Sequence, residues 1–312
     1  MADIVITEFM DEAVVAELAR DHDVFFDKGL VDRPDDLVRE ASHCRGLIVR
    51  NRTQVTAGLL DRCPDLKVVG RLGVGLENID MAACKARGVQ VCPARGANAV
   101  SVAEYVIGAM LMLMRGLHRT TGPVIAGEWP RNAFMGREAA GAVFGLVGFG
   151  DIARHAAARA AALGMEIVAH DPFLHEEDPV WRDMRVRRVS LKELLGCSDV
   201  ISLHVPFTDE THNLIGAAAI AGMKNDAILI NSSRGGIVDE EAVVAALKAG
   251  TLGGAALDVF TAEPVRADYG ARFDGVPNLV LTPHIAGVTH QSNRWTSVLT
   301  VRNVLAVLDA KG

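Results

Sequence analysis

The sequence predicts an α/β protein of two parallel-sheet domains. Three observations predict it. Short apolar runs alternate with helical patterns from end to end. A strand, a glycine loop and a helix follow one another at residues 143–163. The length of 312 residues suits two domains of about 150 residues each. Strands alternating with helices pair in parallel, because each crossover lays a helix across a sheet face.

In the first half, Ile4–Ile6, Val24–Phe26, Gly46–Val49 and Leu66–Gly70 read as buried strands. Asp11–Ala19, Pro34–Ser42, Ala57–Asp61 and Ile79–Arg87 read as the helices between them. The pattern changes near residue 98. Ser101 and Glu104 form a capping-box pair that predicts a helix start, and the helix to about His118 is apolar nearly all round. A Gly-, Pro- and charge-bearing loop fills residues 122–141. A second series then brings strands at Val143–Val147, Glu166–Ala169, Val200–Leu203, Ala227–Ile230, Ala255–Leu257 and Leu279–Leu281. The last helix, His290–Ala310, can return to the first domain and make it discontinuous. The expected division is 1–97 plus 288–312, and 98–287.

Composition narrows the function. Net charge is −7 with no concentrated basic run, which argues against nucleic acid as a partner. The apolar stretch Val106–Met114 is far shorter than the roughly 20 residues that span a bilayer. The start of the chain carries acidic Asp3 and reads as a strand, so no export signal is expected. Five scattered cysteines with no C-x-x-C pair point away from a zinc site or disulfide framework and toward a reducing cytoplasm.

The segment Gly145–Ala153 carries G-x-G-x-x-A in its proper setting. Gly148 permits the tight turn, Gly150 lets backbone approach a pyrophosphate, and Ala153 allows close helix–strand packing. N–H groups at the helix start attract phosphate. The next strand ends in Asp171, 23 residues after Gly148, where a carboxylate accepts ribose hydroxyls and repels the extra phosphate of NADP. Pro172 and Phe173 follow rather than basic residues, so NAD is the expected cofactor, with no metal.

Oxidising a 2-hydroxy acid needs a cation for the carboxylate, a base for the hydroxyl proton and a hydride acceptor. Three later strand ends carry matching residues: Arg234 in Asn231–Gly236, Glu263 shortly after Asp258, and His284 in Pro283–Gly287. Guanidinium holds a carboxylate bidentately, imidazole exchanges protons near neutral pH, and a carboxylate beside it fixes its tautomer.

With these motifs in order, the sequence closely resembles the D-isomer-specific 2-hydroxyacid dehydrogenase family, above all its phosphoglycerate dehydrogenase-like branch. Further matches are Arg50–Thr53, Arg71–Asp80 and Ser101–Glu104. Glu77 stands where the family often has Asp, and Ala153 where it often has Gly. The resemblance implies two Rossmann-like domains, a flavodoxin-like substrate domain and an NAD-binding domain, with the active site in the cleft between them. It implies a homodimer through the NAD-binding domain, and a short form without the regulatory domain of long phosphoglycerate dehydrogenases. It gives Arg234 the substrate carboxylate, His284 the acid/base role and Glu263 the partnership with it. It places Asp151, Ile152, Val205, Pro206, Ser232, Asp258, His284 and Gly287 against the cofactor, and the Val74–Gly75 backbone around the substrate.

Arg50 and Arg71 follow first-domain strands and suggest a second anion on the substrate. The resemblance favours 3-phosphoglycerate. A sulfonate satisfies the same donors, so 3-sulfolactate competes, and glyoxylate- or hydroxypyruvate-type acids remain open. A different class is an NADH-responsive interaction protein, as in the C-terminal-binding-protein corepressors that share this fold.

Overall fold

A computed structural model describes residues 2–310. By internal contacts the chain divides into two compact units. One takes the chain up to Asn98 and again from Val288; the other is Ala99–Gly287.

The first unit is a five-stranded parallel sheet of β1 (Ile4–Ile6), β2 (Val24–Phe26), β3 (Gly46–Val49), β4 (Val68–Arg71) and β5 (Gln90–Pro93), in the order β2-β1-β3-β4-β5. Side chains alternate across a strand, and the sequence uses both faces. Ile4, Ile6, Ile48 and Val68 pack on one face with Val304, while Val5, Leu47, Val49 and Val69 pack on the other. Each fully buried aliphatic side chain contributes roughly 1.5–3 kcal/mol. The helix His290–Leu308 covers the first face, opened by a capping box between Thr289 and Ser292. It approaches β4 so closely that a Cβ on Gly70 would lie 2.5 Å from Val304 Cγ2. Strand β5 is absent from the sequence expectation. It is a short, partly exposed strand that ends in proline, so it lacks the continuous apolar run of a central strand.

The second unit is a seven-stranded parallel sheet: β6 (Val143–Val147), β7 (Glu166–His170), β8 (Arg187–Arg188), β9 (Val200–Leu203), β10 (Ile228–Asn231), β11 (Gly254–Leu257) and β12 (Leu279–Leu281). Its order is β12-β11-β10-β9-β6-β7-β8, which reverses direction between β6 and β9. Such a reversal opens a crevice at the carboxyl ends of the two strands, where nucleotide ligands bind. The helix expected to begin at Ser101 begins at Ala99, so Ser101 lies inside its first turn and is buried. It ends at Arg115, where Gly116 turns left-handed at φ +63°. The expected loop 122–141 contains a turn of helix that runs on from Thr121 to Ile125 and a 3₁₀ turn at Arg131–Phe134. No single helix among the described residues is long and apolar enough to cross a membrane.

Candidate active site

The glycine loop sits at the sheet's reversal. Gly148 follows β6 at φ +86°, and its N–H donates to the His170 carbonyl at 2.8 Å. A Cβ there would lie 2.6 Å from the His204 carbonyl oxygen, so only glycine fits without a backbone shift. Gly150 differs: its backbone is extended and a Cβ would meet nothing within 4 Å. It caps the helix Asp151–Ala162 without a side chain, leaving the N–H groups of Asp151 and Ile152 turned to an uncovered helix start. Ala153 is fully buried against the sheet.

Asp171, just past β7, accepts the N–H of Phe149 at 2.8 Å on one oxygen and that of Phe173 at 2.9 Å on the other. It therefore ties the glycine loop to the next strand end and keeps lone pairs for ribose hydroxyls. Val205 lies against the Gly148 turn and Pro206 is exposed beside it. Ser232 Oγ, just past β10, is buried with no hydrogen-bond partner among the described residues. An orphaned buried hydroxyl, an open glycine and an uncapped helix start fit a dinucleotide.

Three adjacent strands deliver the remaining groups. Asn231, Leu257 and Leu281 are in register across β10, β11 and β12, so the loops bearing Arg234, Glu263 and His284 leave the sheet side by side. His284 Nδ1 lies 2.7 Å from Glu263 Oε2. With Glu263 accepting, Nδ1 is the protonated nitrogen, and Nε2 is left to exchange a proton with a substrate hydroxyl. Glu263 is aimed by its other oxygen, which accepts the Phe260 N–H at 2.9 Å. Arg234 has Nη1 on the Ser233 carbonyl at 2.7 Å. Asn231 shapes that turn: its amide donates to the Arg234 carbonyl, and its oxygen accepts from the Ser233 N–H and hydroxyl.

Two buried carboxylates hold these loops, and one of them, Glu240, was missed by sequence reasoning. Glu240 accepts the Thr261 N–H at 2.8 Å, the Thr261 hydroxyl at 3.0 Å and the Tyr269 hydroxyl. It fixes the loop that carries Glu263. The sequence shows Glu240 only as one of two acids opening a helix, a pattern that elsewhere means an exposed first turn. Asp258, expected against the cofactor, spends its oxygens within the chain, accepting from Thr282 Oγ1 at 2.6 Å and from the N–H groups of Ile285 and Ala286 at 2.8 Å. The loop thus held ends at Gly287, the last residue of this unit.

In the first unit, Arg50 follows β3 and Arg71 ends β4, the neighbouring strand. The Arg50–Thr53 turn wraps Glu8, whose carboxylate accepts N–H groups of Arg50, Arg52 and Thr53. Burial raises the Glu8 pKa, but those three donors outweigh it and hold the carboxyl below its ordinary value. The Arg50 guanidinium is half-buried, 5.6 Å over the Phe9 ring, with Nη2 on Asn293 Oδ1 at 3.1 Å. Burial lowers its pKa, which Glu8 partly offsets. No carboxylate lies within ion-pair distance of it among the described residues. Arg71 is folded back instead. Its Nη1 donates to the Leu72 carbonyl at 2.7 Å and lies where a Cβ on Gly73 would be. Val74 is exposed and Gly75 partly so, in the loop beyond.

A nucleotide-binding sheet whose adjacent strand ends carry a guanidinium and a carboxylate-held imidazole defines a dehydrogenase. A family model described as "D-isomer specific 2-hydroxyacid dehydrogenase, NAD binding domain" matches residues 107–286. The chain is 52% identical, over the full length of both, to "(S)-sulfolactate dehydrogenase" of Chromohalobacter salexigens. It is 38% identical to "D-3-phosphoglycerate dehydrogenase" of Archaeoglobus fulgidus, over 89% of this chain and 52% of that one, so it spans about half of that relative. Among solved structures, D-lactate dehydrogenase of Aquifex aeolicus "complexed with NAD and Lactic acid" superposes with a TM-score of 0.83 at 28% identity, covering 98% of this chain and 95% of that one. The protein belongs to the D-isomer-specific 2-hydroxyacid dehydrogenase family. It is an NAD-dependent oxidoreductase of 2-hydroxy acids.

Bound NAD supplies the hydride acceptor. Asp171, Ser232, Gly150 and the N–H groups of Asp151 and Ile152 are the groups available to hold it. With Nδ1 held by Glu263, His284 Nε2 would be the nitrogen placed to exchange a proton with a bound hydroxy acid.

Proposed function

We propose that this enzyme interconverts D-series 3-sulfolactate and its 2-keto acid, with Arg234 on the carboxylate, His284 as acid/base, and Arg50 on the sulfonate. The observation that carries the second anion is Arg50. A half-buried guanidinium with no carboxylate at ion-pair distance carries a desolvation cost that Glu8 only partly offsets, and an incoming anion relieves the rest. Glu8 does not serve, because its oxygens are engaged by three backbone N–H groups. Similarity supports a sulfonate over a phosphate. The full-length relative at 52% bears a sulfolactate name, whereas the phosphoglycerate relative stands at 38%. This reverses the order of preference read from the sequence. The (S) label suits a D-specific family. Sulfur makes the sulfonate-bearing carbon outrank the carboxyl, so (S)-3-sulfolactate has the D configuration.

The test is NADH oxidation with sulfopyruvate, phosphohydroxypyruvate, hydroxypyruvate and glyoxylate, for wild type and Arg50→Ala. Sulfopyruvate is expected to have the highest kcat/KM. Loss of a charge-assisted bond of about 1.5–3 kcal/mol should cost sulfopyruvate roughly 10–150-fold more than glyoxylate. Equal loss for all four acids refutes the second-anion reading.

We also propose a homodimer through the cofactor-binding unit. Its segment from Leu117 to Met135 exposes Ile125, Trp129 and Met135, each more than three-quarters open to solvent. Clustered exposed apolar side chains of this size mark an association surface. A reducing, cytoplasmic setting suits the five cysteines, all of which are free thiols.

A further inference from the structure

The loop that carries His284 is wrapped around one carboxylate. Asp258 is fully buried. Its Oδ1 accepts from Thr282 Oγ1 at 2.6 Å and Ile285 N at 2.8 Å, and its Oδ2 from Ala286 N at 2.8 Å. Its backbone carbonyl accepts the His284 N–H at 2.9 Å. Residues on both sides of the imidazole, and the imidazole's own backbone, are thereby tied to a single residue at the end of β11. The constraint has work to do, since His284 is held left-handed at φ +56°, a conformation that costs a non-glycine residue about 1–2 kcal/mol.

A further hydrogen bond reaches Asp258 through Thr282. A threonine hydroxyl has one hydrogen, and here it is committed to Asp258. The 2.6 Å contact between Thr282 Oγ1 and Tyr105 Oη must therefore run the other way, with the phenol donating. Burial pushes the Tyr105 phenol up to about 12, against the opposing pull of its Thr282 bond, so it stays protonated at any working pH and remains the donor. The result is a one-directional chain, from Tyr105 to Thr282 to Asp258, in a half-buried setting where an unmade bond is costly. The Thr282 carbonyl also accepts the His284 N–H at 3.0 Å, but neither side-chain hydroxyl bonds the phosphate loop or the His284 and Glu263 side chains, so nothing in the reaction itself assigns those hydroxyls a role.

We propose that Thr282 and Tyr105 are positioning residues for His284, acting through Asp258 to hold the imidazole at the place where it exchanges the substrate proton. This rests on His284 being the acid/base. The geometry explains why displacement should show in kcat: an error of about 1 Å in a proton-transfer partner costs on the order of 100-fold, while nucleotide binding elsewhere on the sheet is untouched.

The experiment compares Thr282→Val, Thr282→Ser, Tyr105→Phe and His284→Ala in full-length protein. The readouts are kcat and KM with the best keto acid, NADH affinity by nucleotide fluorescence, and Tm. Thr282→Val should lower kcat by about 10–100-fold with NADH affinity within about threefold of wild type. Thr282→Ser, which keeps the hydroxyl, should restore kcat to within about threefold, and Tyr105→Phe should lower it by roughly 3–10-fold. Wild-type kcat in Thr282→Val, equally poor Val and Ser variants, or parallel loss of NADH binding and kcat would each overturn the proposal. If Thr282→Val does not fold, Tyr105→Phe decides, and unchanged kcat there overturns it. Near-normal turnover in His284→Ala removes the acid/base assignment and this proposal with it; a crippled His284→Ala beside an unaffected Thr282→Val removes the proposal alone.

Discussion

The two glycines of the phosphate loop should fail for different reasons when changed to alanine. At Gly148 the backbone is at φ +86°, which costs an alanine about 1–2 kcal/mol. The new methyl would also lie 2.6 Å from the His204 carbonyl oxygen and 3.0 Å from Val205 Cγ1. The carbonyl belongs to a backbone that cannot give cheaply, because the His204 N–H is bonded to Val147 at 2.7 Å. Relief of that overlap adds roughly 1–3 kcal/mol, the usual cost of overpacking. Gly148→Ala should therefore lose about 2–5 kcal/mol of stability before any ligand is considered. In a unit of this size that corresponds to a Tm lower by roughly 4–20 °C. At Gly150 the backbone is extended and a methyl meets nothing. Gly150→Ala should keep Tm within about 2 °C yet lose NADH affinity by at least about tenfold, since the methyl would occupy the approach of the pyrophosphate. The assay is differential scanning fluorimetry without nucleotide, paired with NADH fluorescence titration. A Gly148→Ala protein with wild-type Tm would refute the steric reasoning. A Gly150→Ala protein with wild-type NADH affinity would refute the placement of the phosphates.

Acid sensitivity should trace in part to Glu8. Its carboxyl is held below its ordinary value in the folded state, so its contribution is present above the ordinary glutamate value and is lost as pH falls from there through the lower folded-state value. Glu8→Gln should be destabilised by about 1–3 kcal/mol at pH 7. The gap in Tm from wild type should shrink as the pH is lowered below the ordinary glutamate value of 4.5; parallel curves would count against this account. The exposed segment should govern assembly. Light scattering should give twice 33.3 kDa for wild type and 33.3 kDa for an Ile125→Asp, Trp129→Asp double variant. A monomeric wild type ends the dimer proposal.

The central strands were legible in the sequence because both of their faces are buried. β1, β3, β9 and β10 are fully buried and almost wholly apolar, and each appears within a residue of its expected place. Of the edge strands, β2 and β12 lie where expected, but β5 and β8 were not legible. Arg187–Arg188 pairs only with β7 and is exposed, and no hydrophobic pattern marks two arginines as a strand. The helix start at Ala99 shows a second limit. Ser101 and Glu104 have the right spacing for a cap, but spacing does not say which residue first turns helical.

The candidate site divides in the same way. The glycine loop and the three strand-end residues were readable because their chemistry is tied to fixed offsets from strands. Glu240, Asn231 and Tyr105 were not, since what gives them weight is burial beside a partner 3 to 177 residues away in the chain. Arg71 was legible as a cation at a strand end but not as one turned back onto its own loop.

The helix His290–Leu308 has a consequence for biosynthesis. On the ribosome the sheet of the first unit emerges early, with Ile4, Ile6, Ile48 and Val68 lacking the cover that Val304 and its neighbours supply. The continuous segment Ala99–Gly287 can complete its own core before those late residues leave the exit tunnel. The nascent first unit therefore carries a sticky apolar face through most of translation, a natural client surface for chaperones.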